Sequence, residues 1–430
     1  MRRRFQSILT EEIRRYLHIN LHNTEDRNAW HLCLEIFWAS ILGSAASFNA
    51  AFALRLGGTN TEVGLLSSIP ALMAVLVSIP AGRFLKARGQ QKPWLLSALT
   101  VHRAGFLLAA LIPWLPLAHI SHGTLVVAVL VVMTVPAHFF NVGFIAMLGE
   151  IVPEHYRASV FAARNMIYHS TLSVFNFLFG LWLSRIAFPL NYQTMYMIGY
   201  ATSMLSLYYL IKVQPAEAAP PATVKPAARA PGAPWGGLRQ NLLTHRSFMH
   251  FIFNTLLHGL GMWMAAPLYI LHYVRDLHAS DAWIGLQGTV ASLGTIAGFA
   301  LWRRIMARWG EARTLRRMIL TIGLFPIAVG LLPTLALVLL AIGLNGLIVP
   351  GVNLSHFNTL LKATPEKERT EYTALYMAIV NIGAFICPLI GVALADRFGL
   401  APVLVGCGLF SIVGSMSFRL WPVQPIRQDA

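Results

Sequence analysis

The chain is short of charge, of acid and of cysteine. Charged residues fill 12% of its 430 positions, and 17 Asp or Glu stand against 33 Lys or Arg. A soluble domain carries about twice that charged fraction, so a water-soluble globule is excluded. The three cysteines, Cys33, Cys387 and Cys407, form no CxxC pair and no even-numbered framework. They exclude a disulfide scaffold and read as packed free thiols. There is no P-loop, so ATP does not drive the protein directly. Gly406-Cys407-Gly408 lacks the third glycine and the strand context of a dinucleotide site. The first apolar run begins near residue 31 and exceeds a typical signal-peptide core, so no cleavable leader is expected. No enzyme site and no cofactor are predicted.

What is abundant is apolar sequence. Hydrophobic residues make up 56% of the chain, and the mean hydropathy is +0.60. Twelve stretches, near 31–55, 61–85, 93–115, 124–149, 157–184, 192–213, 247–274, 281–303, 315–333, 335–361, 371–395 and 401–421, can each cross a hydrocarbon core needing about 20 apolar residues. The bases are sorted around them. Arg55, Arg185, Arg275 and Arg397 fall on one side, Arg103 and Arg164 lie inside apolar runs, and all the rest fall on the other side. This is the positive-inside pattern of a polytopic helical membrane protein with both termini cytoplasmic. The net charge of +16 therefore reads as attraction to anionic lipid rather than to nucleic acid.

The predicted organisation has five parts. Residues 1–30 form a cytoplasmic tail, in which Phe5, Ile8, Leu9, Ile13, Tyr16 and Leu17 recur at helical spacing, as in an interfacial amphipathic helix. Six helices occupy 31–213. The Ala/Pro-rich stretch 214–246 reads as a flexible cytoplasmic linker. Six more helices occupy 247–421, and 422–430 form a cytoplasmic tail. The halves repeat: Pro153-Glu154-x-x-Arg157 opens the fifth helix and Pro365-Glu366-x-x-Arg369 the eleventh, with Asn141 and Asn353 at the same offset. Gly64 and Gly89 match Gly285 and Gly310 at a second common offset. Internal repeats about a central linker mark a two-bundle transporter.

These features resemble the major facilitator superfamily over nearly the whole length. The best local motif follows the second helix: Gly82-Arg83-Phe84-Leu85-Lys86-Ala87-Arg88-Gly89-Gln90-Gln91-Lys92. It matches the family's G-x-x-x-D-R-x-G-R-K at both glycines and the terminal base, with a degenerate second copy at Ala307-Arg308-Trp309-Gly310. The resemblance implies an all-α fold of twelve transmembrane helices in two pseudo-symmetric six-helix bundles, and transport by alternating access. Two departures stand out. Lys86 occupies the motif's acidic position, and the fifth helix lacks the Gly-Pro signature of the drug–proton antiporters. The family fold places the end of helix 2 near that of helix 11, so Lys86 is expected to face Glu366, Glu368 or Glu371 in a charge-reversed cytoplasmic latch. Gly82, Gly89, Lys92, Arg157 and Arg369 belong to the same region. By pseudo-symmetry Arg303 or Arg304 would face Glu150 or Glu154.

Glu35 is the one acid clearly within a span, and an intramembrane ionisable group is a functional candidate by default. Arg164 lies at similar depth, so a Glu35–Arg164 pair is expected, either structural or a protonatable switch. Arg103, about 15 Å into helix 3 by helical rise, is left to backbone carbonyls, to Glu35 or to an anionic substrate. Polar stripes recur: Asn165, His169, Ser173 and Asn176 in helix 5; His250, Asn254 and His258 in helix 7; His138 and Asn141 in helix 4; Asn353 and His356 in helix 10. Singly each reads as a packing hydrogen bond. The family lines its central cavity with helices 1, 4, 7 and 10 and partly 5, 8 and 11, so the resemblance makes the stripes, with Asn49, Gln287 and Tyr376, a candidate substrate cavity. A cavity His is a second candidate proton carrier.

The reading is a monomeric, multi-pass secondary transporter in the lipid bilayer, in the inner membrane if bacterial. It moves a small organic solute, with protons as the candidate coupling ion and export favoured over uptake. The scarcity of intramembrane acids argues against an organic cation. A transporter-like sensor, receptor or assembly factor remains open. A divalent-metal or metal-chelate carrier would draw on His119-x-x-His122 and on the cluster His272, Asp276, His278 and Asp281, but no spacing there resembles a compact site. Gly294-x-x-x-Gly298 reads as a close-packing motif.

Overall fold

The structure, a computed structural model, describes residues 23–88, 91–116, 119–214, 246–365 and 368–423, and within them leaves out the side chains of residues 154, 155, 158 and 370. The amphipathic segment 5–21, almost all of the linker 214–246, the tail from 424, Gly89, Glu366 and the side chain of Glu154 lie outside that description.

The described residues form twelve helical spans. They are α1 (Thr24–Ala46, continued by Asn49–Arg55), α2 (Asn60–Lys86), α3 (Lys92–Leu111), α4 (His122–Val132, continued by Thr134–Ile151), α5 (Glu154–Arg185) and α6 (Leu190–Lys212), then α7 (Arg246–Leu271), α8 (Asp281–Trp309), α9 (Glu311–Ile322, continued by Leu324–Leu331), α10 (Leu335–Lys362), α11 (Arg369–Phe398) and α12 (Leu400–Leu420). Eleven of the twelve are long and apolar enough to cross a membrane by length and composition. The exception, α6, has 23 residues and would span about 35 Å. Its hydropathy is diluted by Gln193, Ser203 and Ser206, all of which are buried against the rest of the bundle. The protein is an integral, multi-pass membrane protein.

Local chemistry sets the helix ends. Thr59 and Glu62 form a capping box at the start of α2, satisfying two orphan amides reciprocally. Ser280 caps α8 through the Trp283 amide at 3.2 Å. Gly310 and Gly399 turn the chain from α8 into α9 and from α11 into α12 with φ of +74° and +88°, a region open to glycine at no steric cost. Two boundaries differ from the sequence expectation. The first helix starts seven residues before 31, because Asn23 caps it through the Glu25 amide and the charged turn Glu25–Arg27 is helical. The eighth continues to Trp309, so Arg303 and Arg304 sit on its last turns rather than in a loop.

Each half packs its own core. In the first, Phe52 stacks on Tyr192 with ring centroids 4.7 Å apart and touches Tyr196 at 5.3 Å. In the second, Phe251 packs among Phe248, Tyr376 and Phe418. The Gly294/Gly298 motif does close packing: Cβ atoms there would fall 2.9 Å from Gly343 O and 2.8 Å from Leu347 O of α10.

The halves meet along α5–α8 and α2–α11. Gly64 on α2 lies against Val392 of α11, and Gly285 on α8 against Asn176 and Gly180 of α5. These two glycines are the pair that repeat at a common offset in the sequence. Both crossings lie toward the ends of the helices remote from Asn23 and Val423. We call that side the far face, and the side holding those chain ends the terminal face.

Candidate functional site

Buried charge gathers in the first bundle. Glu35 on α1 is 4% exposed, Arg103 on α3 3%, and Arg164 on α5 8%. Arg164 Nη1 stands 2.8 Å from Glu35 Oε2 and donates to Leu32 O at 2.5 Å, with its guanidinium over the Phe144 ring of α4. Arg103 Nη2 stands 4.0 Å from Glu35 Oε1 and donates to Ser206 Oγ at 2.8 Å, while its Nη1 donates to Ser203 O. Ser206 Oγ in turn donates to Glu35 Oε1 at 3.0 Å. One carboxylate and two guanidiniums thus tie together α1, α3, α5 and α6, and every charge has a partner, as burial requires. Nothing in the sequence marks Ser203 and Ser206, because a serine in a helix carries no local signal of the cation it will meet.

Between α5 and α8, toward the terminal face, lies a cleft of about 640 Å³ that reaches Leu354 on α10. Asn165, Met166 and His169 line it from α5; Phe299, Arg303 and Met306 line it from α8. Asn165 Nδ2 is engaged with Phe161 O at 2.9 Å, which leaves its Oδ1 available as an acceptor. The His169 ring lies 6.4 Å from that of Phe299. The wall is mostly apolar with a few convergent polar groups, the usual character of a small-molecule site.

The α5 stripe changes surroundings halfway along. Below His169, Ser173 O accepts from Thr289 Oγ1 at 2.8 Å, and Asn176 is 2% exposed beneath Gly288 and Gly285. A Cβ on Gly285 would stand 2.3 Å from Asn176 O and 2.7 Å from Gly180 Cα. So the same face is a cleft at one end and a close-packed seam at the other.

The remaining cavity candidates divide. Asn141 and Asn353 are exposed, and Gln287 is half-buried. His138 is half-buried. Five candidates lie inside bundles instead. Asn49 accepts from Tyr196 OH at 2.8 Å. Asn254 is fully buried and donates to Trp421 O at 2.9 Å. His258 Nδ1 meets Ser415 and Ser411 of α12 at 2.8 and 2.9 Å. His356 Nε2 meets Thr255 Oγ1 at 2.9 Å, and Tyr376 is buried beside it. For these five the packing role described for single polar residues is the one their contacts display. A stripe defines a face of a helix but not what covers that face.

The latch residues are likewise redistributed. Lys86 is exposed, and among the described residues no ion pair joins it to Glu368 or Glu371. A Cβ on Gly82 would meet nothing within 4 Å. Lys92 Nζ caps the end of α6, donating to Ile211 O and Val213 O at 2.5 and 2.6 Å. Arg157 folds back on Val152 O and Gly149 O at 3.0 and 2.5 Å. Both act within the first half rather than between halves.

An ion pair joins the halves on the far face. Arg55, at the end of α1, reaches Asp281, at the start of α8, with Nη2 and Nε 2.7 and 2.8 Å from Oδ1. Tyr192 OH of α6 donates to the same oxygen at 2.7 Å. Arg275 Nη2 donates to Gly58 O at 3.3 Å, and Asn60 Nδ2 to Asp396 Oδ1 at 2.5 Å. Nothing local marks Arg55 and Asp281 as partners in the sequence. The one available signal is that Arg55 is among the four bases outside the basic side. Of the candidate metal ligands, Asp281 is held by Arg55, and His272 Nδ1 pairs with Asp276 Oδ2 at 2.8 Å. No group of three or more metal-ligating side chains occurs among the described residues.

The comparisons with known proteins agree with this architecture. The sequence profile of the Major Facilitator Superfamily matches residues 251–429. A Deinococcus radiodurans protein, provisionally named a sugar efflux transporter, is 25% identical over 401 residues, covering 89% of this chain and 95% of its own. The chain thus resembles the major facilitator superfamily, whose profile its second half matches. Its fold is that of solved members of low identity. The nucleoside transporter NupG superposes with a TM-score of 0.67 at 12% identity, over 92% of this chain and 98% of its own. A bacterial homologue of the human lysosomal transporter Spinster, in an inward-facing and unoccupied conformation, superposes with a TM-score of 0.67 at 14% identity, over 93% of this chain and 97% of its own. The twelve helices in two halves are the family fold, and a membrane transporter is its function.

Proposed function

We propose that this transporter exports a small, polar organic solute by alternating access, with sugars and sugar-bearing molecules as the first candidates. The observation that carries the reading is the asymmetry between the two faces. The halves are clamped at the far face by Arg55–Asp281 and by glycine-lined crossings, whereas the α5–α8 cleft lies toward the terminal face. With the termini cytoplasmic, as the sorting of bases favours, this is an inward-facing state ready to take solute from the cytoplasm. The cleft suits a polyol. Asn165 Oδ1 and the His169 ring offer hydrogen bonds to hydroxyls, and Phe299 offers an apolar face for a sugar ring. The relative from Deinococcus radiodurans points to the same class.

Coupling rests on the first bundle. We assign Glu35 the role of proton carrier, with Arg103 and Arg164 as the groups that hold it between turnovers. The terminal-face latch, Lys86 against Glu371, forms in the opposite state, when the α5–α8 cleft is shut. The deciding experiment is counterflow in proteoliposomes made with the full chain and preloaded with unlabelled sugar. A carrier accumulates labelled sugar transiently against its equilibrium level. A transporter-like sensor binds without accumulation, and that result would end the proposal. A panel of monosaccharides, disaccharides and nucleosides then sorts the substrate class.

A further inference from the structure

A second cavity, of about 350 Å³, opens at the terminal face within the first half, away from the α5–α8 cleft. It is lined by Arg27 and His31 of α1, Lys92 of α3, and Ile211, Lys212 and Gln214 at and after the end of α6. Arg27, Lys92, Lys212 and a histidine converge there, and among the described residues no carboxylate lines it. We propose that this cavity binds a phosphate-bearing anion, and that in the membrane the anion is the headgroup of an acidic phospholipid.

The geometry supports a built site. Asn28 straps the chain after α6 to α1, donating to Gln214 O at 2.7 Å and accepting from the Gln214 amide at 2.9 Å. Arg27 Nη2 donates to Gln214 Oε1 at 2.7 Å, which braces one edge of the guanidinium and leaves other donors of its fork open. Lys92 spends two hydrogens on the carbonyls of Ile211 and Val213; an ammonium has three. Lys212 Nζ lies 4.3 Å above the Tyr208 ring. His31 Nδ1 is buried without a hydrogen-bond partner. An anion with several oxygens fits a lining that brings cationic donors together from three helices.

The surroundings suit a lipid. Trp30 and Trp94, one residue from His31 and two from Lys92, are exposed, as are interfacial aromatics at the headgroup level. From the cavity two exposed apolar stripes run into the membrane zone: Trp94, Val101 and Leu108 on α3, and Ile211, Tyr208 and Leu205 on α6. These could receive acyl chains while the headgroup sits among the bases. Basic pockets between helices on the cytoplasmic side recognise acidic headgroups through this combination.

The test uses the full chain purified in a neutral detergent. Native mass spectrometry and thermal unfolding are followed while dioctanoyl phosphatidylglycerol, dioctanoyl phosphatidylcholine or inorganic phosphate is titrated. Phosphatidylglycerol should bind and stabilise more strongly than phosphatidylcholine. Each base near a membrane surface contributes roughly fivefold in affinity, so Lys212→Gln should weaken phosphatidylglycerol binding about fivefold and Arg27→Gln with Lys212→Gln about 25-fold. Arg313→Gln with Arg316→Gln removes two exposed charges from the other half and should leave it unchanged. If inorganic phosphate alone matches phosphatidylglycerol, the site holds and its ligand is a soluble phosphate. Equal binding of the two lipids, or equal loss in the control variant, overturns the proposal.

Discussion

Asp281→Asn should open the far face. The Asp281 side chain is 10% exposed and that of Arg55 32%, so the pair is neither a surface ion pair nor fully sealed. Contacts to a charged partner are worth about 1.5–3 kcal/mol each, and solvent on the Arg55 side trims the sum. Asparagine keeps the shape and an acceptor for Tyr192, so the expected loss is about 2 kcal/mol, roughly a thirtyfold fall in the ratio of far-closed to far-open molecules. Arg55→Gln should cost at least as much, because it leaves a buried carboxylate facing only the Tyr192 hydroxyl. The double variant should fall no further than Asp281→Asn, since the two losses are one interaction counted once. Electron–electron resonance between spin labels on His119→Cys and His278→Cys, in a background lacking Cys33, Cys387 and Cys407, reads the separation of the halves at that face. Unchanged distance distributions in all three variants would refute the clamp. Strictly additive shifts would refute the direct pairing.

Two further outcomes follow from the buried and exposed charges. Glu35→Gln strips the carboxylate from two buried guanidiniums, which should cost about 3–5 kcal/mol of stability and lower the melting temperature of the purified protein; it should also abolish gradient-driven transport while sparing solute exchange, and unchanged proton coupling would exclude Glu35 as the carrier. Lys86→Glu should slow transport in proteoliposomes, and adding Glu371→Lys should restore it, because the reversed pair has the same geometry; absence of rescue removes the terminal-face latch.

Most of the architecture is legible in the chain before any coordinates, because a bilayer imposes its own bookkeeping on sequence. Every span must be long, apolar and helical, and every loop carries the charge of its side. Errors arise where that rule loses its grip. The turn Glu25–Arg27 is polar enough to pass for a tail, yet Asn23 caps it and it folds as helix. Arg303 and Arg304 are basic enough to pass for a loop, yet α8 runs on to Trp309. In such places helix and membrane boundary do not coincide, and hydropathy reports only the second.

The site is less legible, for a geometric reason. Depth along a helix follows from sequence position, so Glu35 and Arg164 could be placed at one level and the structure sets them 2.8 Å apart. The angle a stripe presents to the rest of the molecule depends on packing. Thus Asn254, His258 and His356 share the spacing of cavity residues but bond to Trp421, to Ser411 and Ser415, and to Thr255. Long-range pairs are hidden most completely. Arg55 and Asp281 are brought together only because α1 and α8 end on the same face of opposite halves.

The α5 stripe shows why a buried polar residue can be kept where an apolar one would pack better. Asn176 lies in the close-packed part of the seam, against glycines that admit no larger neighbour, and its Oδ1 is buried without a hydrogen-bond partner. An orphan acceptor of that kind costs about 1–3 kcal/mol. Parting the seam would bring water to the same oxygen and lift that cost. It therefore opposes the Arg55–Asp281 clamp, and the two effects are of similar size. Asn165 and His169 line the cleft, and Ser173 and Asn176 continue the same stripe, buried beneath it.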